Sequence, residues 1–281
     1  MTMGSGRIRK AAVKNEITWL VDGQMENIKS AVLELEAGHS VTLSTNEWEF
    51  GFVLVEGQFS ISTESGQVFE TSIREDIYDK PSGIIISRDE NIEIKAIKDS
   101  VIGVGSAPAQ KKYPNKMVSP SDVGGGERGK DNWTRDVNFV IWNDNTQGNM
   151  LMMGETLIPS GNWATIPPHR HDEQHDDEAP YNEIYYFRSK HLGGIGLAWQ
   201  FNDSGDMDQA FSIKSGDSIY MDEGYHPIVS FPGGPLYQLT IMSGPLRESK
   251  ARLHSDYKYI IDSSNMVNPY ANQRTHKDNT K

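Results

Sequence analysis

Residues 167–188 read PPHRHDEQHDDEAPYNEIYYFR, and the end of this stretch decides the fold. Glu183 to Arg188 is a short apolar and aromatic run opened by a carboxylate, which is the signal of a buried strand. Working outward, the same short rhythm recurs. On the C-terminal side Gly196 to Phe201, Phe211 to Ile213, Asp217 to Met221, Pro227 to Phe231 and Tyr237 to Met242 read as strands, and just upstream so do Leu151 to Ile158 and Trp163 to Ile166. In the first half Ala31 to Ala37, Phe50 to Val55, Gln58 to Thr63, Gly83 to Ile86, Ile92 to Ile97 and Val101 to Gly105 do the same. Turns are expected at Glu56-Gly57, Ser65-Gly66 and Arg88 to Asn91. Few segments carry helical periodicity. Short strands with frequent turns predict an all-β chain built as a sandwich or closed barrel.

The 281 residues suit two such units. Ser106 to Asn132, rich in Pro, Gly, Lys and Asp and containing Gly124-Gly125-Gly126, reads as a surface connection. The expected division is an N-terminal barrel over 1–110, a connection over 111–135, a C-terminal barrel over 136–262 and a polar tail over 263–281. A weak internal repeat, Leu33 to Gly38 against Glu155 to Gly161, agrees with two similar barrels.

A net charge of −12 argues against nucleic acid and anionic membranes as partners, since both repel an acidic surface. There is no cysteine, which excludes disulfides, thiolate metal sites and cysteine nucleophiles. Met1 to Lys10 is short, polar and basic with no apolar core behind it and does not read as a signal peptide. No apolar run approaches the roughly 18 residues that span a bilayer. The expectation is a soluble cytoplasmic protein, free to form homo-oligomers of a size the sequence does not set.

His169 and His171 are two apart, so on a strand they share a face and can chelate one divalent ion. The third ligand could be Glu173, Glu178 or Glu183. Glu183 is preferred, because a carboxylate opening an apolar strand enters a barrel interior where its charge needs a counter-ion. Glu173 and Glu178 sit in an acidic loop that reads as solvated. His226 is far enough along the chain to return beside the first pair. His39, His175, His191, His254 and His276 are read as ordinary surface histidines. Zinc is the first choice of metal, with manganese or iron as alternatives, because mixed imidazole and carboxylate ligation discriminates poorly among them.

The order HxH, then Glu, then His in a β-rich chain resembles the metal signature of cupins. The match narrows with Gly161-Asn162-Trp163, Pro167 to Asp172, Glu183 to Arg188, Gly224-Tyr225-His226-Pro227, Asp122-Val123-Gly124 and Arg128 to Arg135. Together these resemble the 5-deoxyglucuronate isomerase family, the sugar-acid isomerases of inositol catabolism, which are related to hexuronate ketol-isomerases. The specific motifs cover roughly residues 100–245. The resemblance implies a bicupin, two β-barrel (double-stranded β-helix) domains with few short helices and a metal in the C-terminal barrel only. It also implies conversion of 5-deoxy-D-glucuronate to 2-deoxy-5-keto-D-gluconate.

Such a reaction suits a Lewis-acidic ion and a proton-handling group, for which Tyr185, on the strand face of Glu183, is a candidate. A uronate carboxylate needs a cation, with Arg135 and Arg128 the candidates and Arg188 behind them. Tyr225 and Tyr237 are candidates to line the pocket. Two other classes use the same ligand set: a metal-dependent cupin dioxygenase or decarboxylase, and a non-catalytic sugar-acid-binding cupin.

Overall fold

Two long antiparallel strands, Trp48–Thr63 and Asn91–Pro108, form the spine of the first half. The computed structural model describes residues 5–189, 195–245 and 247–262; the expected polar tail over 263–281, with His276, and His191 lie outside them. Around the spine the sheet runs in the order Ile17–Val21, Lys29–Leu35, Asn91–Pro108, Trp48–Thr63, Gly83–Ile86, Lys116–Val118, with Ser40–Ser44 and Val68–Glu70 as side pairs.

The turn expected at Glu56-Gly57 is not a turn. Phe50–Val55 and Gln58–Thr63 are one continuous strand, and the register slips between Leu54 and Phe59. Gly57 takes φ +98°, and a Cβ there would lie 2.1 Å from the Asp99 carbonyl oxygen. The glycine therefore builds a bulge, which bends a strand too long to stay flat and curls the sheet over its own interior. Ile92–Ile97 and Val101–Gly105 merge in the same way into Asn91–Pro108. The inward residues, among them Leu33, Phe52, Leu54, Phe59, Ile61, Ile94 and Ile102, fill this first barrel with hydrocarbon.

The second barrel has two facing sheets. One runs Gly6–Arg9, Asp217–Met221, Asn182–Arg188, Leu236–Ser243, Leu151–Ile158, Arg135–Ile141, Gly124–Arg128; the other runs Trp163–Ala164, Ile228–Ser230, Gly196–Phe201, Asp208–Ile213. The chain is thus an all-β bicupin. The N-terminal strand Gly6–Arg9 crosses to the second barrel, where Arg9 forks onto the buried Asp217 at 2.7 and 2.6 Å. The segment read as a connection supplies one strand to each half: Lys116–Val118 pairs with Gly83–Ile86, and Gly124–Arg128 pairs with Arg135–Ile141.

The barrels meet through the outer faces of their sheets. Val53, Val55 and Ile85 of the first pack with Ile141, Leu151, Met153, Ile184, Leu239 and Ile241 of the second. Gly103 makes the approach possible, since a Cβ there would fall 2.1 Å from Leu239 Cδ2. Alternation explains how one strand serves both jobs. Ile184 and Tyr186 face the other barrel, while Glu183, Tyr185 and Phe187 face their own interior. Among the described residues no helix is long and apolar enough to cross a membrane.

Candidate metal centre

Glu183 is 4 % exposed and enters the second barrel at the start of Asn182–Arg188. His171 Nε2 lies 2.9 Å from its Oε2, and His226 Nε2 lies 3.1 Å from the same oxygen. The three ligand atoms fall within 4.8 Å of one another. The ring of His169 stands beside them, its centroid 5.4 Å from that of His226 and 6.2 Å from that of His171. All four residues named from the sequence as metal ligands are therefore gathered in one place, with His171, Glu183 and His226 tightest.

Both inner imidazoles are oriented from behind. His171 Nδ1 faces the Tyr181 carbonyl at 3.2 Å, and His226 Nδ1 faces the Gly224 carbonyl at 2.9 Å. A carbonyl only accepts, so each Nδ1 carries the proton and each Nε2 turns its lone pair inward. The His226 Nε2 is buried and makes no aligned hydrogen bond despite its short distance to Glu183. An orphaned lone pair beside a buried carboxylate fits a divalent cation.

The electrostatics agree. Burial alone would push the Glu183 carboxyl up, but its close contacts with the His171 and His226 imidazoles outweigh it and hold the group well below the usual carboxylate range. Burial, then the neighbouring His226 and His171, drives His169 down to about 3, so it is neutral at physiological pH, as a metal-binding imidazole must be. For His171 burial lowers the pKa, and the Glu183 contact overcomes this and raises it. The carboxylate thus seeks a positive charge at this point, from a proton or from an ion.

The centre opens into a cavity of about 150 Å³. Tyr185 lines it; burial, then the Glu183 charge, pushes its hydroxyl well above the usual range, which keeps the phenol protonated. Arg135 lines it as well, its Nη1 donating to the Trp133 carbonyl at 3.2 Å. Arg128 is exposed on the neighbouring strand opposite Arg135. It is not among the lining residues, although its charge, after burial, lowers the Arg135 pKa.

The sequence pattern of the KduI/IolB family matches residues 8–260 of the chain. The chain belongs to the KduI/IolB family. The 5-deoxy-glucuronate isomerase of Geobacillus kaustophilus (strain HTA426) is 29% identical over 241 residues, which is 85% of this chain and 87% of that protein. An IolB-like protein of Salmonella typhimurium LT2 superposes with a TM-score of 0.84 at 24% identity, over 92% of this chain and 98% of that one. The oxalate decarboxylase of Lactobacillus farciminis superposes with a TM-score of 0.61 at 12% identity, over 88% and 85%. These two structures share the fold.

Within this KduI/IolB chain three further residues read as substrate-binding lie elsewhere, as Arg128 does. Arg188 bonds Glu34 of the first barrel at 3.1 Å and Tyr186 at 3.4 Å. It is five residues from Glu183, and an odd offset on a strand points to the opposite face. Tyr237 is likewise on the inter-barrel face, donating to Glu155 Oε2 at 2.9 Å. Tyr225 stacks on Phe201 with centroids 5.1 Å apart, and its hydroxyl donates to Asp203. None of the three lines the cavity. Glu178 also departs from its reading as solvated. It is fully buried and accepts from the Asp172 and Glu173 amides at 3.0 Å each, so it organises the acidic loop.

The cavity also contains side chains that the sequence reading missed. Thr156, Gln238 and Thr240 supply neutral polar groups, Phe139 and Trp142 a stacked aromatic pair, and Lys250 a cation. Gln238 and Thr240 had a signal: two polar residues at alternate positions of the apolar strand Leu236–Ser243. Lys250, in an irregular segment, had none.

Proposed function

We propose that this protein is a metal-dependent sugar-acid isomerase that converts 5-deoxy-D-glucuronate to 2-deoxy-5-keto-D-gluconate. The observation that carries this reading is the convergence of His171, Glu183 and His226, with His169 beside them, in a cavity edged by Arg135. Membership of a family whose relatives are named 5-deoxy-glucuronate isomerases supports the substrate.

The reaction is redox-neutral. The hydrogen on C2 moves to C1, the proton on the C2 oxygen moves to the C1 oxygen, C2 becomes a ketone and C1 a primary alcohol. A divalent ion held by His169, His171, Glu183 and His226, with zinc the first choice, would polarise the carbonyl and adjacent hydroxyl oxygens. The chain's own residues do the rest. Tyr185, kept protonated by burial and by Glu183, holds a proton at its hydroxyl and acts as a donor rather than a base. The Arg135 guanidinium remains a cation at neutral pH and receives the substrate carboxylate. Burial of the imidazole cluster excludes water and strengthens each of these contacts.

The test is elemental analysis combined with an isomerisation assay on the wild type and on His171→Ala. Loss of bound metal and of activity together is the expected result. A His171→Ala protein that isomerises 5-deoxyglucuronate without metal would overturn the proposal.

A further inference from the structure

The sheet flooring the cavity sets its side chains in rows. Glu183 is opposite Met242; Tyr185 is opposite Thr240, which is opposite Gly154 and then Phe139; Gln238 is opposite Thr156 and then Val137. Arg135 precedes Val137 by two residues and shares its face. With a rise of about 3.3 Å per residue, successive rows are roughly 6.6 Å apart. The backbone of Arg135 thus stands beyond the rows of Thr240 and Gln238 from the imidazole–carboxylate cluster, while its guanidinium lies close enough to Tyr185 for the two groups to act on each other.

Gln238 is 3 % exposed, and its Nε2 donates to Thr240 Oγ1 at 3.2 Å. Its Oε1 is buried and has no hydrogen-bond partner. A buried amide oxygen without a donor is costly, and in a cavity wall it is satisfied by a ligand that brings one. Thr240 Oγ1, already accepting from Gln238, still has its own O–H to give. The pair therefore offers one acceptor and one donor side by side, which matches a single alcohol group.

We propose that Gln238 reads a hydroxyl on the middle carbons of an open-chain sugar acid. This rests on the isomerase reading for the placement of the two ends: the reacting carbons at the imidazole cluster and the carboxylate at Arg135. Of the carbons between them, C3 and C4 each carry a hydroxyl and C5 carries none, and one of these two hydroxyls donates to Gln238 Oε1. Gln238 touches no reacting atom, so it binds the ground state and the transition state alike. Its loss raises KM and leaves kcat nearly unchanged.

The experiment compares metal-loaded wild type with Gln238→Met, of similar shape but without the amide. The probes are 5-deoxyglucuronate and its analogues lacking the C3 or the C4 hydroxyl, followed by kinetics and by calorimetric binding. The expected result is a KM about tenfold higher or more, kcat within about threefold, and unchanged metal content, with the two proteins binding one of the analogues equally. An unchanged KM, or an equal loss for the parent and both analogues, would overturn the proposal. If Gln238→Met does not fold or load metal, Gln238→Asn, which withdraws the amide by one methylene, is read by the same criteria. A wild type that turns nothing over would end the isomerase reading alone, and the binding pattern of the same acids would still decide the role of Gln238. Failure of every acid to bind the wild type would end both.

Discussion

Arg74, from the first barrel, forks onto Glu155 of the second: Nη1 lies 2.9 Å from Oε2 and Nη2 2.8 Å from Oε1. The guanidinium is 1 % exposed and the carboxylate 3 %. Asn138 and Tyr237 complete the coordination of Glu155, which also borders the cavity. Burial pulls the Arg74 pKa down, and the Glu155 charge more than restores it. The first barrel thus braces the wall of the second, in which the imidazole–carboxylate cluster stands.

Arg74→Ala leaves the Glu155 charge buried and unpaired. The expected cost is about 3–5 kcal/mol, read from the shift in chemical-denaturation midpoint. Arg74→Lys recovers only part, because an ammonium cannot make the fork. Wild-type stability in the alanine variant would refute the bracing role.

A divalent ion at this centre would supply the charge that Glu183 and the buried His226 lone pair call for, and chelation would remove it. A chelated sample is expected to melt lower than the loaded protein and to regain its original Tm on adding back zinc or manganese, in proportion to RT ln(1 + [L]/Kd). His226→Ala, lacking one ligand, is expected to show a metal-dependent rise much smaller than that of the wild type. Equal rises in both would contradict the ligand assignment.

In metal-free protein, His169 is held down at about 3 in the folded state, against about 6.5 in an unfolded chain. Between these values the unfolded state binds more protons, so this site makes stability fall as pH falls, by up to about 1.4 kcal/mol per pH unit. His171 has the opposite sign, since its raised pKa favours the fold at low pH and that contribution is lost as pH rises. The informative quantity is therefore the difference between wild type and His169→Gln. From pH 6.5 down to 4 the variant is expected to lose less stability than the wild type. Parallel curves would contradict the depressed pKa.

Arg135 and Arg188 are predicted to behave differently. Arg135→Gln is expected to raise KM for the uronate about tenfold or more, with a smaller effect on an analogue lacking the carboxylate. Arg188→Gln is expected to leave KM unchanged and to cost no more than about 1 kcal/mol of stability, because its bond to Glu34 is partly exposed. A KM effect from Arg188 with none from Arg135 would reverse the assignment.

The Glu183 strand shows how far local patterning reaches. Its alternation was legible, and it put Glu183 and Tyr185 on one face. The same parity turns Arg188, five residues on, to the opposite face. Gln238 and Thr240 were legible as polar residues on one face of an apolar strand, but nothing local said that the face bordered an imidazole cluster.

The sequence by itself determined the β class and the face shared by Glu183 and Tyr185, because side-chain type and a two-residue period are local properties. Only the tertiary structure decided that Gly57 bends a strand rather than ending it, that Gly6–Arg9 joins the second barrel, and that Tyr237 faces Arg74 rather than the cavity. Those outcomes depend on which distant surface each side chain meets. In a barrel, contacts between strands far apart in the chain are set by closure and packing, which no short stretch of residues encodes.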